Sequence, residues 1–247
     1  MSEAEAVYWI WLRELKRYWR DKSRIISSFI QPILFLVIFG GGFSFVKLGG
    51  LNYQTFLFPG IVAMSLVGIS ISSGISVIWD REFGILKEIL VAPVSRTSIF
   101  VGKALGGCVT ALIQGVIVLS LAFLLGVPLT TGSFILSVGS MVIISLGLVS
   151  IGLIIASLIE TIESFGVIMN FLIFPLIFLS GAFYPLQEAP EWLRIVSYFN
   201  PLTYGVESLR YVIISVSSIP FPLSFTIASL FSLVSILVGG ITFNRQK

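Results

Sequence analysis

Histidine is absent from this 247-residue chain, cysteine occurs once, and charge is scarce, with 15 basic and 12 acidic residues making up 11% of the whole. An ordinary soluble domain is about 25% charged, so fewer than half the charges that solvate a globular surface are present. That shortage excludes a soluble protein, the 56% hydrophobic content excludes a disordered chain, and the single Cys108 excludes a disulfide scaffold. The few charges are also clumped. None lies between Leu48 and Trp79, between Ala104 and Ile159, or between Tyr211 and Asn244. Stretches of 32, 56 and 34 residues exceed the ~20 that one helix needs to cross about 30 Å of hydrocarbon. The composition is that of an integral membrane protein.

The apolar runs predict an all-α protein of six transmembrane helices in one domain, residues 1–247. Residues 1–24 form an interfacial segment, residues 25–182 spans one to five, residues 183–220 an external segment and residues 221–243 span six. The spans run from about Ile25 to Val46, Phe56 to Trp79, Ile99 to Leu125, Phe134 to Leu158, Ser164 to Ala182 and Phe221 to Phe243. The 56-residue silent stretch would be ~84 Å long as one helix, so it must fold back, and Gly126 to Ser133 is the turn. Pro175 should kink span five. With both termini in the cytoplasm, 12 of the 15 basic residues lie inside, and only Lys47, Arg194 and Arg210 lie outside. Cys108 reads as a buried, unpaired thiol.

Four further segments lie outside the spans. Residues 6–20 carry Tyr8, Trp11, Leu12, Leu15, Tyr18 and Trp19 on one helical arc, and Arg13, Lys16, Arg17 and Arg20 on another. Such a helix lies in the headgroup plane as an anchor on membrane lipid. A nucleic-acid patch is the rival reading of the basic face, and the tryptophans argue against it. The loop after span two holds Phe83, Leu86 and Leu90 at i, i+3, i+7, with Glu82, Lys87 and Glu88 opposite and a helix end before Pro93. It reads either as a lipid-resting helix or as a helix docked into a groove of a soluble protein. Glu160 and Glu163, between spans four and five, offer a second, smaller contact. Residues 183–220, broken by Pro185, Pro190, Pro201 and Pro220, read as two short helices dipping into the outer leaflet, with i, i+3 pairs Glu191/Arg194 and Glu207/Arg210. Gly68, Ser72 and Ser76, and then Gly102 and Gly106, form small-residue ladders for close helix packing.

No catalytic motif is present: no Gly-x-Ser-x-Gly, cysteine cluster or phosphate loop. The expected span centres hold no ionisable residue, which disfavours an ion-coupled carrier, and no clustered catalytic groups suggest a lipid-modifying enzyme. Energy for any uphill transport must then come from another polypeptide.

In sequence order come the N-terminal in-plane helix and then Glu82-Phe83-Gly84-Ile85-Leu86-Lys87-Glu88-Ile89-Leu90-Val91-Ala92-Pro93-Val94-Ser95-Arg96. Phe174-Pro175-Leu176, Leu179 to Pro185, and Pro190-Glu191-Trp192-Leu193 come next, followed by Asn200-Pro201-Leu202-Thr203-Tyr204 and Glu207-Ser208-Leu209-Arg210. Taken together the chain resembles the ABC-2 type permeases, the membrane subunits of drug-efflux and polysaccharide-export ABC exporters. The resemblance implies a type V exporter-like fold in a prokaryotic cell (inner) membrane. It implies that the helix holding Glu82, Phe83, Gly84, Leu86, Lys87, Glu88 and Leu90, flanked by Pro93 and Arg96, couples to a cytoplasmic ABC ATPase. It further implies an outer gate at Pro185, Pro190, Trp192, Pro201, Tyr204, Glu207 and Arg210, and a homodimer of this chain with two ATPase copies. The chain itself should bind no cofactor and catalyse nothing; ATP and magnesium belong to the ATPase. Cargo should be hydrophobic or amphipathic, drug- or lipid-like. The alternative is a glycan sliding over aromatics such as Phe29, Phe35 and Phe56.

Overall fold

Ser2 starts the first helix. Its hydroxyl accepts the Glu5 N–H while the Glu5 carboxylate accepts the Ser2 N–H, a reciprocal cap that satisfies two otherwise idle donors. Acidic Glu3 and Glu5 in the first turn and basic Arg17 and Arg20 in the last complement the helix dipole of α1, Glu3–Arg20. The structure is a computed structural model that describes residues 2–43, 45–48, 50–85 and 94–245. The expected coupling residues Leu86, Lys87, Glu88, Leu90 and Pro93 lie outside the described residues.

The order continues with α2 (Lys22–Gly42), a hairpin of β1 (Lys47–Leu48) and β2 (Leu51–Asn52), α3 (Tyr53–Ser72), α4 (Ile75–Glu82), α5 (Arg96–Ser120) and α6 (Ala122–Leu125). It ends with α7 (Thr131–Leu158), α8 (Ile162–Phe178), α9 (Glu191–Phe199), α10 (Pro201–Ile214) and α11 (Phe221–Arg245). The antiparallel hairpin pairs Lys47 with Asn52 and Leu48 with Leu51. Among the described residues, five helical stretches are long and apolar enough to cross a membrane: Ile25–Gly42, Tyr53–Glu82, Arg96–Leu125, Thr131–Leu158 and Phe221–Asn244. α8 is apolar but shorter, about 26 Å from 17 residues at 1.5 Å each.

Helix α3 is the axis of the bundle. Nearly all of Phe56 to Val67 is buried, as befits a helix that is apolar all round. It packs on α2, α5, α7 and α10, and α7 in turn packs along α11. The junction between α3 and α4 crosses α7 backbone to backbone. A Cβ on Gly74 would come within 2.2 Å of the Gly152 carbonyl oxygen, and one on Gly152 within 2.3 Å of the Ile71 oxygen. Small residues thus bring backbones together, as in membrane bundles generally. The Gly102/Gly106 ladder is a seat for α1: added Cβ atoms there would lie 2.8 Å from Ile10 Cβ and 2.6 Å from Glu14 Cβ. Gly68 faces open space instead.

Several expected boundaries move. Span one ends at Gly42, before the hairpin, and span two starts at Tyr53 and breaks at Ser73–Gly74. Span five stops at Phe178 rather than Ala182, because Pro175 withdraws one helical N–H and the chain turns at Gly181 with φ 73°. The fold-back turn is as read, with Gly126 left-handed and Thr130 capping α7 through the Ser133 N–H. Cys108 is buried, its thiol beside the Ser145 hydroxyl at 3.5 Å.

Candidate functional site

At the α1 end of the bundle, three helices meet in a buried ionic knot. Lys103 on α5 is 1% exposed, and its ammonium donates to Asp80 Oδ2 at 2.6 Å, Glu14 Oε1 at 3.1 Å and Ser76 Oγ at 3.2 Å. All three donors are thereby used. Arg13 donates to the same Asp80 oxygen at 2.5 Å and to Glu14 at 3.2 Å. Arg17 approaches Asp80 Oδ1 at 3.6 Å with its guanidinium 4.5 Å above the Trp79 ring. Burial pushes the Glu14 carboxyl up, but Lys103 and Arg13 together hold it below the usual carboxylate range. An ion group this deep ties α1, α4 and α5 together, since removing one member strands the others.

The same helix reaches the other flank of the segment that follows α4. Glu3 accepts from the Ser95 N–H at 3.2 Å, the Ser95 hydroxyl at 2.8 Å and the Ser98 hydroxyl at 2.6 Å, at the first turn of α5. Hydroxyl donation from Ser98, then from Ser95, holds the Glu3 carboxyl below its ordinary value. α1 therefore grips the chain on both sides of residues 86–93: at Asp80 before them and at Ser95 and Ser98 after them. On the near side, Glu82 and Phe83 are exposed and Gly84 is left-handed at φ 75°. On the far side, Arg96 is the half-buried first residue of α5. Arg81 extends the grip to α7, donating to the Ile159 carbonyl at 2.8 Å and the Ser157 carbonyl at 3.3 Å. Glu160 and Glu163, just beyond this contact, are exposed.

Part of the expected anchor face of α1 turns toward the protein. Arg13 and Arg17 turn inward onto Asp80 rather than outward to lipid headgroups, and Trp11 is half-buried. Tyr8, Lys16, Trp19 and Arg20 of the expected anchor faces are exposed; Trp9, on neither predicted arc, is exposed with them. The buried residues are Ala6, Ile10 and Tyr18, with the half-buried Glu14 completing a stripe spaced by four, and of these only Tyr18 is on the predicted aromatic arc. Glu3, Glu14, Asp80, Ser95 and Lys103 were not among the expected site residues. A faint signal existed, because Asp80 and Lys103 each lie close to the border of a long charge-free stretch.

At the opposite end, the expected outer segment folds as α9 and α10. Glu207 and Arg210 are both buried and paired. Arg210 also donates to the Gly181 carbonyl at 2.7 Å and stacks 4.2 Å from the Phe56 ring centre. Glu207 accepts backbone N–H groups of Ser218 and Ile219. Asn200 caps α10 and donates to the Leu176 carbonyl at 2.7 Å, joining it to the end of α8. Pro190 precedes α9, Pro201 opens α10, and Tyr204 donates to the Tyr198 carbonyl at 2.8 Å. Pro185 is half-buried and Trp192 is exposed. Glu191 and Arg194 form no ion pair among the described residues, so their expected pairing fails; Glu191 is exposed and Arg194 half-buried. Phe56 is buried beneath the Arg210 guanidinium.

A family profile described as ABC-2 type transporter matches residues 5–214, from the start of α1 to the end of α10. The chain belongs to the ABC-2 type transporter family. Its relatives carry matching names. The transport permease ycf38 of Cyanophora paradoxa is 37% identical over 199 residues, covering 78% of this chain and 69% of that protein. The inner membrane transport permease YadH of Escherichia coli K12 is 26% identical over 241 residues, 94% of each chain. YbhR of the same bacterium, named as a multidrug ABC transporter permease, is 32% identical over 170 residues, 68% of this chain and 46% of its own. As an ABC-2 permease the chain is a multi-pass membrane protein, and the contacts of α1 at Asp80, Ser95 and Ser98 acquire a context.

Proposed function

We propose that this chain is the membrane subunit of an ATP-binding cassette exporter, driven by a separate cytoplasmic ATPase that docks at residues 82–96. One observation carries the reading: α1 is bonded to both flanks of that segment, so force applied there is delivered at once to α4 and α5. Glu82, Phe83, Gly84, Leu86, Lys87, Glu88, Leu90, Pro93 and Arg96 form the docking element, with Glu160 and Glu163 as its neighbour contact. Differential contacts of the ATPase in its two nucleotide states would bias the bundle between two arrangements. α8 serves as the fifth of six crossings, both termini face the cytoplasm, and Lys16, Trp19 and Arg20 rest on the inner leaflet. Two copies of the chain pair with two ATPases in a prokaryotic inner membrane; ATP and magnesium bind the ATPase alone.

The outer clasp of Glu207, Arg210 and Asn200 holds α9 and α10 against α3 and α8 and closes the external side. The cargo on this reading is hydrophobic or amphipathic. A glycan-bearing cargo is the second reading, favoured by a run of ring contacts from Phe35 through Phe39, Phe43 and Tyr53 at 5.3, 6.0 and 5.5 Å. The decisive measurement is co-purification with a soluble ATPase from the native host, and its loss in Leu86→Asp and Glu82→Lys. Retention of the ATPase and of ATP-dependent transport in both variants overturns the docking assignment.

A further inference from the structure

Pro32 sits inside α2, and its ring nitrogen cannot donate to the carbonyl four residues earlier, that of Ser28. Gln114 of α5 fills the vacancy: its Nε2 donates to the Ser28 carbonyl oxygen at 2.6 Å. The amide is thereby fixed, and its other end is left over. Gln114 is 2% exposed and its Oε1 has no partner. A buried idle acceptor is costly, more so in hydrocarbon, unless something fills its lone pairs.

That amide lies at the wall of a cleft of about 360 Å³ between α2, α3, α5 and α8. Gln31, Ser65, Ser72 and Asn170 add hydroxyl and amide groups to the wall, while Met64, Ile69 and Phe174 make it apolar between them. None of the described residues lining it is charged. Its depth follows from helix geometry: Gln114 is 11 residues beyond Lys103, about 16 Å along α5 and so close to the middle of a ~30 Å hydrocarbon layer. An ion brought there would lose its hydration with no opposite charge to meet it. A neutral group bearing a hydroxyl or amide N–H would instead satisfy the idle acceptor while its apolar part stays among side chains and lipid.

We propose that this cleft binds the polar part of an uncharged amphiphile, and that Gln114 Oε1 selects it by accepting a hydrogen bond from a cargo hydroxyl or amide. The inference rests on reading the chain as an exporter's membrane subunit, and names the chemical class of what it carries.

The test uses the full chain in phosphatidylcholine nanodiscs, without ATPase or ATP. Three diazirine-bearing probes of equal acyl length are compared: one glycerol-headed, one sulfate-headed and one trimethylammonium-headed. The glycerol probe should label peptides containing Ser27–Pro32, Met64–Ser72 and Asn170–Ile177, with competition by unlabelled monoacylglycerol, and the two charged probes should not. Gln114→Leu should weaken the glycerol probe by about three- to tenfold, the worth of one hydrogen bond. Asn170 is exposed and bonds no backbone carbonyl among the described residues, so Asn170→Leu, which should also weaken labelling, serves if Gln114→Leu folds poorly. Equal labelling by the charged probes, glycerol labelling confined to other peptides, or full-strength binding by well-folded variants overturns the proposal. ATPase capture, assayed on the same preparations, keeps the two readings apart. Capture without selective labelling defeats only the cargo class, and selective labelling without capture defeats only the exporter reading.

Discussion

The Ser98 hydroxyl donates to Glu3 Oε2 at 2.6 Å, joining residues 95 positions apart at the first turn of α5. The contact lies on one side of residues 86–93, and the Lys103–Asp80 pair at 2.6 Å lies on the other. α1 is therefore a strap across the base of the segment proposed to receive the ATPase, and the strap can be released at either end.

Releasing the Glu3 end should be local. In Glu3→Ala the amides of Ser95 and the first turn of α5 should exchange with deuterium markedly faster. The overall melting temperature should hardly change, because Glu3 is exposed. Hydrogen-exchange mass spectrometry in nanodiscs checks this. Unchanged exchange at Ser95 would show that the contact does not hold the strap.

Releasing the middle should be global. Lys103→Met leaves Asp80 and Glu14 without their central cation and should cost about 3–5 kcal/mol, as for other broken buried ion groups. Adding Asp80→Leu should restore a large part of that loss. A thermal-unfolding double-mutant cycle measures both, and simple additivity would refute the coupling.

Acid should loosen the strap. The Glu3 and Glu14 carboxyls are both held below their ordinary 4.5, so their contributions are fully present above that value and vanish as pH falls through the lowered folded values. Protection of α1 should thus persist from pH 7 to about 5 and fall off below the usual carboxylate range of about 4.3. Glu14→Gln should flatten the decline, which exchange measured across that pH range would reveal.

Equal spacing should give unequal consequences at the outer end. Arg210→Met breaks a fully buried pair and should cost about 3–5 kcal/mol while exposing the Ser218 and Ile219 amides to exchange. Glu191→Ala touches an exposed, unpaired carboxylate and should change stability by less than about 0.5 kcal/mol. Comparable losses in the two variants would contradict the clasp.

Much of this was legible in the sequence, because the membrane imposes strong local constraints. Charge-free stretches located most of the spans, Gly126 and Thr130 marked the fold-back, and the prolines after Ala182 announced short helices. What escaped depends on contacts between distant segments. Lys103 meets Asp80 across 23 residues and Glu14 across 89, and no periodicity encodes that. Hydrophobic phase misplaced the seat of α1, since glycines on α5 admit Ile10 and Glu14 where the tryptophans would not fit. Glu191/Arg194 and Glu207/Arg210 share one spacing, yet only burial makes the second a pair.

The bare crossing of Gly74 and Gly152 restricts how α4 can respond to a push at its Glu82 end. Spinning the helix on its own axis would bring the Ser73 or Ile75 side chain against the Gly152 carbonyl, where not even a methyl fits. Rocking in place keeps glycine facing glycine and meets no such collision. The joint behaves as a hinge pin, free to tip and barred from rolling.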